Sequence, residues 1–281
     1  MTRQQVTASG AGSAGLDPAD EAALWDFHQA YKHPRLAPVA IVMAAYNEAE
    51  SIAGVLGELP HTLCGLATDI VVVVDGATDD TAGIARAHGA YACVAPVNRG
   101  QGAALRLGYR VAREAGARYI VTTDADGQYD PGDMATVLEP VVRGDADFAT
   151  GSRRLGRQET TDPVRHVGVR VFAWLVSGLT GHRVTDTSFG LRAMKAHVTE
   201  AVTLTQPQYQ ASELLIGVIA KGFRVVERPA TMRQRNAGVS KKGHNMLYGL
   251  HYARVVLGTW QRERALAEGA SRSRPVVTAD R

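Results

Sequence analysis

The sequence predicts an α/β fold in which a mostly parallel central sheet lies between two layers of helices. Three observations carry this. Short apolar runs alternate with segments of helical period from residue 39 to about residue 150, the rhythm of βαβ units. One run, Asp69 to Asp75, holds Ile70 and four consecutive valines, the composition of a strand buried on both faces. The chain has 281 residues, 45% hydrophobic and 21% charged, enough to bury a large core without disulfide staples.

Residues 1–16, rich in Gly, Ala, Ser and Thr, read as a flexible tail. Residues 17–37 read as a helical extension. Asp17 offers an N-cap and Pro18 the first helical position of a helix over about 19–32, which Pro34 and Pro38 end. A strand is expected over Val39–Ala44, then a helix over Glu50–Leu59 with Ile52, Val55, Leu56 and Leu59 at helical spacing. After the valine strand come a helix over Thr78–His88 and a strand over Tyr91–Pro96. The helix expected over Gln101–Ala115 sets Ala104, Leu107, Val111 and Ala115 on one face. Strands follow at Arg118–Thr123 and, shorter, at Asp147–Thr150. Helices are expected over Pro163–Leu179 and Tyr209–Lys221, a strand over Arg224–Met232, and a final helix over Asn245–Arg264. No Pro/Ser/Gly-rich linker divides the chain. Residues 38–245 therefore read as one domain and 246–281 as a C-terminal helix and tail.

Composition excludes several classes. The N-terminus lacks the apolar stretch of a secretory signal, and the longest apolar run, Val171 to Gly181, is too short to cross a bilayer. Cys64 and Cys93 lack metal-ligand spacing and read as small buried side chains in a reducing cytoplasm. The nine histidines form no zinc pattern. Net charge is +3, but residues 221–264 hold ten Lys/Arg against two acids. That excess suits phosphates of a ligand or of lipid headgroups, and no nucleic-acid partner is expected.

In open α/β sheets ligands sit beyond the carboxyl ends of the strands. The polar residues there are Tyr46-Asn47-Glu48, Asp75-Gly76, Asn98-Arg99-Gly100 and Asp124-Ala125-Asp126-Gly127-Gln128. Asp124 and Asp126 can converge on one divalent cation if the chain turns at Gly127, and Gln128 adds a neutral oxygen. Hard cations such as Mg²⁺ or Mn²⁺ take such oxygen ligands and share them with substrate phosphates. A lone Asp-x-Asp is more commonly a solvated acidic turn; its company changes the reading. Asp75 is placed to accept from a ribose or a base N–H. The glycines of Asn98-Arg-Gly-Gln-Gly102 allow a phosphate to approach backbone amides, with Arg99 adding charge. This is not a dinucleotide fingerprint, because the first strand leads into Tyr46-Asn47-Glu48 with no glycine turn.

The ordered series Ala44-Ala-Tyr-Asn-Glu48, Asp75-Gly-Ala-Thr-Asp79, Asn98-Arg-Gly-Gln-Gly102 and Asp124-Ala-Asp-Gly-Gln128 resembles the inverting family 2 glycosyltransferases of GT-A fold, a Rossmann-like α/β/α sandwich. The closest branch is the dolichyl- and polyprenyl-phosphate mannose and glucose synthases. The resemblance continues through Gly151-Ser-Arg153, Pro163, Arg165, Gly168, Arg170, Thr185-Asp186, Gly190, Arg192 and Glu213. It closes with Arg235-Asn-Ala-Gly-Val-Ser-Lys241. It implies that Tyr46, Glu48 and Asp75 line the base and ribose, and that Asp124, Asp126 and Gln128 hold the metal on the donor diphosphate. Arg153, Arg165 and Arg170 would face the acceptor or its phosphate; Arg235, Ser240 and Lys241 would close over the donor. Departures are Val74 where a second acid is usual, Ala44 or Ala45 where a proline begins the tyrosine motif, and Phe189 where serine is common.

The resulting expectation is a Mg²⁺- or Mn²⁺-dependent inverting transfer of a hexose from UDP- or GDP-sugar to polyprenyl phosphate. An anionic acceptor needs arginines for positioning; a hydroxyl acceptor, the alternative, needs a base, and Asp186 is the best carboxylate on offer. The final helix places Met246, Leu247, Leu250, Ala253, Leu257 and Trp260 largely on one side, with Arg254, Arg262 and Arg264 near. It reads as a packing face or as an interfacial anchor at the inner face of the membrane. The rival from another class is a haloacid-dehalogenase-type phosphatase, which Val121-Thr-Thr-Asp-Ala-Asp-Gly127 approaches. Gln128 stands at its Thr/Val position, however, and the motif lies over a hundred residues into the chain. A non-catalytic nucleotide-binding protein is the third reading, disfavoured by the complete acidic motif.

Overall fold

Alternating burial along the central strands builds two cores, one on each face of a single sheet. The computed structural model describes residues 17–159, 163–234 and 245–272, without the side chains of 163–166, 245–248 and 270–272; the expected tail over 1–16 lies outside these. The strands are β1 (Val39–Ala45), β2 (Thr62–Leu63), β3 (Leu66–Asp75), β4 (Tyr91–Ala95), β5 (Tyr119–Thr122), β6 (Phe148–Gln158), β7 (Arg192–Lys195) and β8 (Val225–Met232). Their order is β4-β3-β1-β5-β7-β6-β8, with β2 pairing the start of β3. β4, β3, β1 and β5 run parallel, as do β6 and β8, while β7 is antiparallel to both its neighbours.

The helices are α1 (Pro18–Tyr31), α2 (Ile52–Glu58), α3 (Thr81–Ala87), α4 (Gln101–Glu114), α5 (Asp133–Val142), α6 (Pro163–Thr180), α7 (Val198–Ala201), α8 (Gln210–Ala220) and α9 (Asn245–Arg272). Ala40 and Val42 of β1, with Val71 and Val73 of β3, pack against α1, α4 and α8. Ile41, Met43, Val72 and Val74 point the other way, onto α2, α3 and α5. Successive side chains of a strand face opposite sides, so an unbroken apolar run supplies both cores at once. The expected α/β/α layering is what the chain forms.

Most expected elements fall within a few residues of their places, and the exceptions have physical reasons. Helix α5 escaped the sequence pattern because Pro140 lies inside it; proline removes the backbone bond to the carbonyl four residues back. That carbonyl, Thr136 O, accepts instead from Arg228 Nε at 3.3 Å. Met134, Val137, Leu138 and Val141, spaced on one face, are fully buried. Strand β6 extends to Gln158, well past the expected Thr150, although its second half is polar and exposed. It is held by pairing with β8, resumed at Arg157↔Thr231 after an irregularity. Strand β7, only four residues long, and the short α7 and β2 were not expected. Cys64 corrects the expectation of two buried cysteines: it is exposed, in the turn between β2 and β3, and only Cys93 is buried. Among the described residues, no helix is long and apolar enough to cross a membrane.

Candidate active site

A cleft of about 620 Å³ opens where the carboxyl ends of β1, β3, β4 and β5 meet the start of β7. Sheet order arranges its walls. Asp75 ends β3, Tyr46 and Glu48 follow β1, Asn98 and Gly100 follow β4, and Asp124 to Gln128 follow β5. Arg192 opens β7 beside Thr122 of β5. Neighbouring strands are about 4.8 Å apart, so Asp75 stands about 10 Å from the β5 motif on one side and Arg192 about 5 Å from it on the other.

Each expected group has an identifiable support. Asn47 adopts a left-handed conformation (φ 52°), and its Oδ1 accepts from Thr78 N at 2.8 Å. Thr81 Oγ1 accepts from Glu48 N at 2.9 Å, so the turn that presents Tyr46 and Glu48 is pinned to α3. Gly127 takes φ 73°, the left-handed turn the Asp-x-Asp segment requires. Asp126 Oδ1 accepts from Gln128 N at 3.1 Å, and Asp124 Oδ1 accepts from Gln101 Nε2 at 2.9 Å. Gln128 O accepts from Arg233 N at 2.8 Å. Asp124, Asp126 and Gln128 all line the cleft. The donor set is hard oxygen on a fixed turn, which fits Mg²⁺ or Mn²⁺. No group of three or more His, Cys, Asp or Glu suited to a metal occurs among the described residues.

Asp75 is 2% exposed and lines the cleft. Its carboxylate accepts from Gly100 N at 2.7 Å and from Arg99 N at 3.0 Å; burial nevertheless raises its pKa above the usual carboxylate value.

Several expectations are corrected. Arg99 does not reach the cleft: its guanidinium turns to α1 and pairs with Asp17 at 2.9 Å and Asp20 at 2.5 Å. Gly102 cradles no phosphate, because the 206–207 backbone occupies that space. Its N–H donates to Pro207 O at 2.8 Å, and a Cβ there would collide with Gln206 O. Gly102→Ala is therefore expected to cost about 1–3 kcal/mol and to lower the melting temperature; an unchanged melting curve would contradict this packing role.

Arg153 and Asp186 are turned on each other, Nε to Oδ2 at 2.6 Å, both buried and both outside the cleft lining. Ser188 N and Oγ also donate to Asp186 Oδ1. Neither the phosphate-facing role of Arg153 nor the base role of Asp186 is what this pairing provides, since separating a buried pair leaves an uncompensated charge. Arg170 is exposed on α6, whose buried side is Ala173 and Val176, and it does not line the cleft. The side chain of Arg165, and all of Arg235, Ser240 and Lys241, lie outside the described residues.

Arg192, noted in the sequence without a role, belongs to the site. It lines the cleft and is 2% exposed. Among the described residues it has no carboxylate within ion-pair distance, and its Nε has no hydrogen-bond partner. Its guanidinium donates one long hydrogen bond, Nη2 to Thr187 O at 3.5 Å. Burial lowers its pKa from the ordinary guanidinium value. A signal was present: an arginine set in the apolar stretch Phe189-Gly-Leu-Arg-Ala-Met194. Tyr109, Tyr129, Tyr209, His251 and Tyr252 also line the cleft.

A mostly parallel sheet with an acidic turn and a nucleotide-sized cleft at its carboxyl edge defines a class, the GT-A glycosyltransferases. The chain belongs to glycosyl transferase family 2, whose model matches residues 40–202. It is 33% identical over 208 residues to dolichyl-phosphate hexose transferase of Haloferax volcanii, across 72% of this chain and 86% of that protein. It is 30% identical over 216 residues to polyprenol monophosphomannose synthase of Mycolicibacterium smegmatis, across 72% and 79%. Glucosyl-3-phosphoglycerate synthase from Mycobacterium tuberculosis, crystallised with Mn²⁺, UDP and glucosyl-3-phosphoglycerate, shares the fold. Its TM-score is 0.62 at 18% identity, covering 85% of this chain and 84% of that one. The protein is a glycosyltransferase, and the phosphatase alternative is set aside.

Proposed function

We propose that this enzyme transfers a hexose, with inversion, from a UDP- or GDP-sugar to polyprenyl phosphate at a membrane surface. One observation carries the choice of acceptor: Arg192, a buried guanidinium with no carboxylate partner among the described residues, faces the cleft on the side of the acidic turn away from Asp75. A desolvated cation of this kind is stabilised by an anionic ligand, and arginine's planar fork binds phosphate oxygens bidentately. The locked state of Asp186 points the same way, since a phosphate acceptor is already an anion and needs no base. The names of the relatives above agree with a lipid-phosphate acceptor.

In this reading Tyr46, Glu48 and Asp75 hold the nucleoside, and Asp124, Asp126 and Gln128 hold the divalent cation. That cation, when bound, supplies charge neutralisation at the leaving diphosphate. Arg192 orients the acceptor phosphate for attack from the opposite face of the sugar. Apolar side chains suited to such a surface are exposed on α6 and α9. Val167, Val171 and Trp174 (77% exposed) on α6, with Leu250 and Leu257 on α9, are exposed alongside Arg170 and Arg254, the composition of an interfacial surface.

The test is transfer from radiolabelled UDP- and GDP-hexoses with Mn²⁺. Label is expected to pass to a short-chain polyprenyl phosphate and not to the matching neutral polyprenol. Transfer confined to neutral hydroxyls would sink the lipid-phosphate reading while leaving the glycosyltransferase assignment in place.

A further inference from the structure

Helix α1 lies outside the residues matched by the family model, which begins at residue 40, yet it is tied to the segment after β4 that lines the cleft. Its start is set by Asp17, whose side chain accepts from Ala19 N at 2.9 Å, and its end by Lys32 in the left-handed conformation. Ala23, Leu24 and Phe27 bury against the core that β4 shares. β4 is the sheet's edge strand on this side, and Tyr31 Oη accepts from Ala92 N at 2.9 Å. The helix thus covers an edge that would otherwise expose unpaired backbone.

The same helix aims two carboxylates at the segment after β4. Arg99 Nη1 pairs with Asp17 at 2.9 Å and Nη2 with Asp20 at 2.5 Å; the side chains of Arg99 and Asp20 are largely buried, at 15% and 16% exposure. The backbone of Arg99 and of Gly100 donates to Asp75, and Asn98, Gly100 and Asp75 all line the cleft. The chain of contacts is continuous: α1 to the Arg99 guanidinium, the Arg99 and Gly100 amides to Asp75, Asp75 to the nucleoside end of the cleft.

We propose that α1 is a clamp that fixes the Asn98–Gly100 wall against Asp75, with Asp20 and Arg99 as positioning residues for the donor. The donor part of this inference rests on the nucleotide-sugar reading above. Without the two carboxylates the wall spends less of its time in the binding arrangement, and apparent affinity falls by the fraction lost.

The experiment compares the wild-type chain with Asp17→Asn/Asp20→Asn and with Asp20→Glu. Amide exchange over residues 97–101 is read by mass spectrometry, and affinity for UDP and for GDP, each with Mn²⁺, by calorimetry. In the double variant, exchange over 97–101 is expected to speed up while β4 keeps its protection. The dissociation constant of whichever nucleotide binds should rise about tenfold, and Asp20→Glu should restore most of both. Unchanged exchange over 97–101 overturns the clamp, and faster exchange with unchanged affinity overturns its role toward the donor. If the wild type binds neither nucleotide, the donor reading fails, and the exchange result alone upholds or overturns the clamp.

Discussion

Asp126→Ala is expected to abolish Mn²⁺-dependent nucleotide binding and to lower kcat by about a thousandfold, the scale for removing a preorganised electrostatic group. Asp126 sits on a turn whose shape comes from Gly127 at φ 73° and from the Gln128 N–H that it accepts. Losing that bond costs about 1 kcal/mol, and Asp126 lies at the cleft and not in the apolar core, so the fold should persist. A thermal-shift comparison separates the two effects. At a hundred times its dissociation constant, a nucleoside diphosphate contributes about 2.7 kcal/mol of stability to the wild type, and the variant should show none of it. A variant that keeps an undiminished metal-dependent shift would mean that the cation is held elsewhere.

Arg192→Met carries an expected effect of similar size with the opposite sign for stability. The guanidinium is buried with its Nε unpartnered, so replacing it by an apolar side chain of comparable length should leave the ligand-free protein at least as stable. Transfer to polyprenyl phosphate should nevertheless fall by about a hundredfold or more, the loss from leaving the acceptor's charge without its partner. Binding of the nucleotide, at the other end of the cleft, should hardly change. Arg192→Lys should recover part of the activity, as a point charge without the planar fork. A Met variant that unfolds would show Arg192 to be structural. One with full transfer activity would remove the argument for an anionic acceptor.

The two arginines show where sequence reasoning stops. Arg153 and Arg192 stand on neighbouring strands, and Arg153 matched a motif while Arg192 was noted without a role. What separates them is Asp186, 33 residues beyond Arg153 and in ion-pair contact with it alone of the two. Sequence spacing carries no information about which of two buried arginines a distant carboxylate will neutralise. Arg99 makes the same point, because its partners Asp17 and Asp20 come from a helix about eighty residues earlier. By contrast, strands β1, β3, β4 and β5 and the polar residues at their ends were legible, since an apolar run followed by an acid or a glycine states its own depth and its own exit. Helix α5 was hidden by Pro140, and the carbonyl that this proline leaves without a helical partner accepts from the Arg228 side chain, brought in by β8. Gly100 and Gly102 were legible as special positions, but not for what approaches them, which is the 206–207 backbone and no phosphate.

The central claim is that a nucleoside diphosphate and a divalent cation meet at the turn after β5. A crystal structure of the protein with Mn²⁺ and the nucleotide it binds, UDP or GDP, tests this most directly through the anomalous signal of manganese. The expected result is one manganese ion in direct contact with a carboxylate oxygen of the Asp124–Asp126 turn and with the diphosphate, the base lying toward Asp75 and Tyr46. A nucleotide seated in the cleft with no manganese at that turn, or with its base on the Arg192 side, would contradict the account.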